Sequence, residues 1–364
     1  MKKIDYLDAL RGLAIIGVLF VHCSQYGKPV FGFFKDSLAA GAYGVQLFFI
    51  TSAFTLFYSN SVKSSTTADF FIRRFFRIAP MFYLGIIYYL WQNGTGPRYA
   101  LGDASGISTA NIISTFTFTN SFNPYWINSI VPGGWSIAIE FLFYALLPLF
   151  IFRVIKNLNS AIWLFLFSIL ISFICNSIFQ FCIPISDERL WGDFLIMYFP
   201  AQLPVFSIGI IAFFLVIKKE SIREINVVTL LIISTLTLLQ LSTPLRFFSE
   251  AVKFSLIFGL LTIILSLKSF KIIVNPVIIL LGKLSFSIYL SHFAVLHWMS
   301  KFDFVDFTER SLINYIIRLF IVIIISVFIS IFTYTLIEKP FIRLGSKIIH
   351  FKSLNRSWKR HKSK

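Results

Sequence analysis

The chain has 364 residues; 57% are apolar, only 13% are charged, and the formal net charge is +17. A soluble domain runs at roughly 45–50% apolar and about 25% charged, so composition excludes an ordinary water-covered surface and indicates an all-α, polytopic integral membrane protein. In a soluble protein the positive charge would suggest nucleic acid; here it reads as the topology signal of cytoplasmic loops, and no nucleic-acid partner is expected.

Ten apolar segments approach the length of about 20 residues that a bilayer-spanning helix needs. They are predicted at 8–26, 41–59, 71–92, 133–152, 160–182, 193–217, 226–242, 250–268, 275–300 and 311–337. An even number puts both termini on one side. With that side cytoplasmic, about 22 Lys and Arg fall inside and about 8 outside, as a positive-inside layout requires. Lys2 and Lys3 precede the first apolar run, and no small-residue cleavage site follows it, so the run is expected to remain as a span. Residues 93–132 form a long outer loop, of a length that often serves as a lid or binding loop, with a short re-entrant piece expected around NIISTFTFT. Residues 1–345 read as one membrane domain, and 346–364 as a basic cytoplasmic tail suited to anionic lipid. Cys23, Cys175 and Cys182 have neither disulfide nor metal-ligand spacing, and no metal site is expected.

Several stretches place polar groups where hydrocarbon would be expected, and an ionisable group inside a membrane helix marks function by default. In LDALRGLAIIGVLFVHCSQ, Arg11 and His22 stand eleven positions apart, about 20° past three full turns, so they share one face and are separated by roughly 16 Å along the axis. Asp8 lies three positions before Arg11 and can pair with it. This face suits either a packing ion pair with a hydrogen-bonded core histidine or a site with two chemically different ends. In VPGGWSIAIEFLFYALLP, Pro132, Gly133 and Gly134 mark a tight helix start, Trp135 fits an interfacial belt, and Glu140 falls about two turns in. His22 falls about one turn in from the same face, so the carboxylate is a candidate to orient the imidazole for proton abstraction. In DFFIRRFFRIAPMFY, Arg73, Arg74 and Arg77 gather at the cytoplasmic mouth; they suit either positive-inside charge or a phosphate-rich ligand. Ser52 is mid-membrane in GVQLFFITSAFTLFYS, either as a helix-packing group or a nucleophile. GKLSFSIYLSHFAVLHWM is unusually polar and carries His292.

Together and in order, these stretches resemble the acyltransferase family 3 membrane proteins. Arg11 to His22 is similar to that family's Arg/Lys-x10-His motif, LFFITSAF to its Phe-Phe-x-x-Ser-Gly-Phe stretch, RRFFRIAP to Arg-x-x-Arg, GGWSIAIEFLFY to Gly-x-Trp-Ser-x-x-x-Glu, SFSIYLSH to Ser-x-Tyr-Leu-x-His, and IEKP to the closing motif. Ala53 stands where Gly is common, and Gln46 where Asp is common; the second departure removes a carboxylate.

The resemblance implies a bacterial inner-membrane, multi-pass O-acyltransferase. Its donor would be a cytoplasmic acyl-CoA, usually acetyl-CoA, with no permanently bound cofactor. Its acceptor would be a hydroxyl of a carbohydrate such as O-antigen, an exopolysaccharide or a lipid-linked precursor. The resemblance points to His22 for catalysis and to Arg11, Arg74 and Arg77 for the donor. The combined reading adds Glu140 and Asp8 as supporting groups, with Arg73, Ser52, Trp135, Ser136 and His292 as binding residues. Direct transfer and an acyl-enzyme on His22 or Ser52 both remain open. Some family members add an extracytoplasmic domain that completes transfer; because this chain ends soon after its last span, transfer is expected to finish in the membrane domain or on a partner. A transporter is the rival reading, but no inverted repeat or broken-helix pair is apparent.

Overall fold

The computed structural model describes residues 4–62, 66–98, 101, 104–220, 229, 235, 248–268 and 270–362. Among these there is no β-strand, and eight helices are long and apolar enough to cross a membrane. In chain order the helices are α1 (Asp5–Ser24), α2 (Phe33–Ala39), α3 (Gly44–Val62), α4 (Thr67–Asn93), α5 (Thr109–Phe116), α6 (Gly134–Leu146), α7 (Leu158–Phe181), α8 (Glu188–Met197), α9 (Phe199–Phe213), α10 (Glu250–Leu267), α11 (Pro276–Lys301), α12 (Ser311–Thr333) and α13 (Lys339–Lys362). Two of the ten expected spans are not among the eight. The segment expected at 226–242 lies almost wholly outside the described residues. The segment expected at 71–92 is the 27-residue α4, whose first half carries Asp69, Arg73, Arg74 and Arg77 and is too polar to qualify by composition.

Local chemistry accounts for the helix boundaries. Thr66 and Asp69 close a capping box at the start of α4. Asn275 caps α11 through Val277 N and Ile278 N, both at 3.0 Å, and Pro276 occupies the first turn, where its missing N–H costs nothing. α9 ends in a π-turn, Phe214–Lys218, before the left-handed Lys219, whereas α6 and α12 continue as helix through theirs, Leu147–Ile151 and Tyr334–Glu338. The last turns Glu338 inward, where Ser287 donates to it.

The bundle is centred on α1, which packs against α3, α11 and α12, while α9 backs α3 on its other side. In lipid there is no hydrophobic force between apolar helices, so close packing through small residues holds them together. A Cβ on Gly282 of α11 would lie 1.7 Å from Asp8 O, and one on Gly12 of α1 would lie 2.1 Å from Ile278 O. The two backbones therefore touch at the turns that carry Asp8 and Arg11.

The far end of α1 is fastened by charge. Arg318 of α12 is fully buried. Its Nε donates to Cys23 O at 2.9 Å, and Nη1 donates to Val305 O at 2.6 Å and meets Asp306 at 3.5 Å. Asp306 in turn accepts from Lys28 N with both oxygens, at 3.0 and 2.9 Å. At the rim, the hydrogen bond and charge of Lys28 hold the Glu309 carboxyl below the usual carboxylate range.

The long loop is folded rather than open. Arg98 donates to Ser129 O at 2.8 Å, and Asn111 Nδ2 donates to Ser129 Oγ at 2.9 Å. The piece expected to be re-entrant supplies α5 and then Phe118. Phe118 is buried, with its ring 4.0 Å from that of Phe141 on α6 and 5.3 Å from that of Phe82 on α4.

Gly282→Ala is expected to lower stability by about 1–3 kcal/mol, because the new methyl meets backbone that cannot yield. Gly192→Ala on α8, with nothing within 4 Å, is expected to be neutral or to gain up to about 1 kcal/mol from helix propensity. Arg318→Met is expected to cost about 2–4 kcal/mol by leaving the Cys23 and Val305 carbonyls without this donor and Asp306 without its cation. Thermal unfolding of the three variants in one detergent checks all three values.

Candidate active site

Two chambers lie near the opposite ends of α1. The first is a narrow cavity of about 90 Å³ whose wall includes Arg11, Arg74, Arg77, Ser52, Glu140 and Tyr144. Arg11 pairs with Asp8 at 3.2 Å and donates to Thr55 Oγ1 at 2.8 Å, so α1 and α3 hold its guanidinium in place. Arg74 lies over the rings of Tyr144 and Phe70, at 5.7 and 5.8 Å, and its Nε is buried without a partner. Arg77 is exposed. Three guanidiniums are thus arranged from an exposed rim to a buried interior, the gradient an anionic ligand needs. Deeper in, Glu140 accepts from Ser52 Oγ and Tyr144 Oη, and those two hydroxyls lie 3.1 Å apart.

The second chamber is larger, about 740 Å³, and holds His22. His22 Nδ1 lies 3.0 Å from Gln25 Oε1. With the amide oxygen as acceptor, Nδ1 carries the proton and Nε2 keeps its lone pair, the tautomer a general base requires. The ring packs 4.3 Å from that of Phe293 and 5.3 Å from that of His292. His292 is fully buried; its Nδ1–H donates to Ile288 O at 3.1 Å, and its Nε2 has no partner. Trp135 and Gln46 also line this chamber.

Val45 and Tyr289 border both chambers. Tyr289 is buried, with Oη 3.0 Å from Gly133 O and 3.0 Å from Ser136 Oγ. Gly133 has φ +74°, so the left-handed turn that starts α6 aims its carbonyl at this phenol. A Cβ there would lie 2.6 Å from Tyr289 Oη.

The expected neighbours sort differently from the sequence reading. Asp8 does pair with Arg11. Glu140 does not reach His22: its bonds go to Ser52 and Tyr144 in the arginine-lined chamber. Two turns of depth against one leaves about one helical pitch between them, and Tyr289 stands at the junction of the two chambers. Ser52 is on the Glu140 side, away from His22. Trp135 belongs to the His22 chamber, Ser136 lies at the junction, and His292 packs beside His22. Arg73 is absent from the described wall, because one residue turns it about 100° away from Arg74.

Gln25, Thr55, Tyr144 and Tyr289 were missed as site residues. Spacing signals two of them: Gln25 is three positions after His22, and Tyr144 is four after Glu140, each on the same helix face. Thr55 and Tyr289 meet their partners across helices, which no spacing reveals.

A family model described as an acyltransferase domain matches residues 4–335. A Staphylococcus aureus protein named "Putative O-acetyltransferase" is 24% identical over 390 residues, covering 97% of this chain and 60% of its own length. Nodulation protein 10 of Rhizobium leguminosarum bv. viciae is 31% identical over 159 residues, 39% of this chain and 42% of that protein. A peptidoglycan O-acetyltransferase of Listeria monocytogenes is 29% identical over 168 residues, 43% of this chain and 25% of that protein. The chain thus spans about 60% of the length of the staphylococcal relatives it matches. No solved structure matches it. With the match running from residue 4 to residue 335 across both chambers, this multi-pass membrane protein belongs to the acyltransferase family 3.

Proposed function

We propose that the protein is a membrane O-acyltransferase that moves an acyl group, most simply acetyl, from acyl-CoA to a carbohydrate hydroxyl. The observation that carries this reading is the pair of abutting chambers with opposite chemistry: one lined by guanidiniums, the other by amides, aromatics and a histidine with a free Nε2. Acyl-CoA docks with its phosphates on Arg74 and Arg77, and its narrow thioester arm enters past Arg11 toward Tyr289. The sugar occupies the His22 chamber. The relatives named for O-acetyl transfer, one of them to peptidoglycan, favour an envelope glycan as acceptor. The arginine end then faces the cytoplasm and the His22 end the outside of the bacterial cytoplasmic membrane.

In the direct mechanism, His22 Nε2 takes the acceptor O–H proton as the oxygen attacks the thioester carbonyl. Gln25 holds the ring and stabilises the imidazolium through Nδ1–H. The tetrahedral intermediate collapses: the new C–O bond stays, the C–S bond breaks, and the thiolate leaves with the imidazolium proton as free CoA thiol. Glu140 acts on the donor side, where Ser52, Tyr144 and the arginines fix it, and is a positioning residue for that wall.

Thiol release from acetyl-CoA by the protein in membranes, with an oligosaccharide acceptor, tests this reading. His22→Ala is expected to lower release by about 10²–10⁴-fold with the thermal midpoint unchanged. Undiminished release in that variant would sink the mechanism.

The Arg74→Ala/Arg77→Ala double variant is expected to raise the KM for acetyl-CoA by at least about tenfold and leave the acceptor KM within about twofold. An unchanged donor KM would remove the arginines from the donor site.

A further inference from the structure

We propose that the His22 chamber is built for an uncharged sugar, and that Gln46 selects it by accepting a hydrogen bond from a substrate O–H or N–H. This deepens the acyl-transfer reading by naming the class of acceptor.

The orientation of Gln46 follows from its neighbours. Gln202 is fully buried, and its Nε2 donates to Ile196 O at 2.7 Å. That commitment turns Gln202 Oε1 toward Gln46, which must meet it with a donor, and Gln46 Nε2 lies 3.2 Å away. Gln46 Oε1 is therefore the atom left over. It has no hydrogen-bond partner, the residue is 5% exposed, and it lines the chamber. A buried acceptor without a donor is costly, and a bound polyol can satisfy it.

The rest of the wall is consistent with the same ligand. Asn128 Oδ1 accepts from Gly133 N at 2.9 Å, and Asn176 Oδ1 accepts from Tyr198 Oη at 2.8 Å. Both side chains line the chamber, and in each the Nδ2 donor is the group left for a ligand. Trp135 adds an apolar face. Among the described residues no Lys or Arg lines the chamber; its one carboxylate, Glu250, pairs with Lys253 at 2.8 Å. A uronate or phosphorylated sugar would bring a charge against this wall with no cation among its described lining residues, and would lose hydration there without an ionic partner in return. Hydroxyls and N-acetyl groups find amide partners instead. The volume of about 740 Å³ falls within the range of roughly 300–1,000 Å³ that small ligands fill.

The test is binding, measured by calorimetry on the full chain in nanodiscs, with thiol release scored separately so that failure of acyl transfer is distinguishable. The probes are the β-1,4-linked tetramer of N-acetylglucosamine and tetragalacturonate. The native protein is expected to bind the neutral tetramer at least about tenfold tighter than the acidic one. Gln46→Leu is expected to weaken the neutral tetramer about tenfold. Gly192→Ala on α8, which leaves the Gln202–Gln46 pair intact and is not part of the chamber wall, is expected to stay within about threefold of native. Each variant is used only with a native-like thermal midpoint; if Gln46→Leu lacks one, Gln46→Met takes its place. Equal or tighter binding of tetragalacturonate overturns the proposal. So does unchanged binding in the Gln46 variant, an equal loss in both variants, or no binding of either tetramer.

Discussion

The backbone contact between α1 and α11 is the constraint on which the rest of the architecture depends. In a bilayer, helices gain nothing by hiding apolar surface from one another, so proximity must come from shape. Gly12 and Gly282 supply it by removing the side chains that would hold the axes apart. The contact sits beside Arg11 and seats the first turns of α1. From there α1 runs rigidly for about three turns, so the location of His22 follows from that crossing. The same crossing brings the second half of α11 alongside, which is why His292, Phe293 and Tyr289 all come from one helix.

A second fastening acts at the other end. The Arg318 guanidinium binds the carbonyl of Cys23, the residue after His22, and ties it to the 303–310 loop through Asp306. A helix terminus leaves carbonyls without intrahelical partners; here one is answered by a buried cation. α1 is thus pinned at both ends, and the His22 imidazole sits close to the second pin.

The two chambers differ in electrostatics. The arginine wall carries cations that decline in exposure from Arg77 to Arg11, and Oε1 of its carboxylate accepts from the hydroxyls of Ser52 and Tyr144. The His22 chamber is close to neutral and lined by amides. Tyr289 separates them while touching both, and the positive φ of Gly133 gives it a carbonyl to bind. In the proposed reaction a thioester and an alcohol meet at this boundary, each keeping its remaining bulk in a wall of suitable chemistry.

Membrane residence, helix class and the presence of two polar ends on α1 were legible in the sequence, because each depends on composition or on helical period, which are local. Asp8 with Arg11 is an i,i+3 pair and needed nothing more. The arginine motif was legible as well, although α4 is too polar in its first half for composition alone to declare it a span. The partner of His22 was not legible. Glu140 and His22 have compatible depths along separate helices, but which helix faces which, and what stands between, is set by glycine contacts and by the rotation of α6 about its axis. Spacing carries no information on either. Sequence by itself determined the chemical groups and the helices that carry them. Only tertiary structure decided that Glu140 belongs with the arginines, that Gln25 holds His22, and that Gln46 is left with an unpaired oxygen, because those outcomes depend on contacts between segments far apart in the chain.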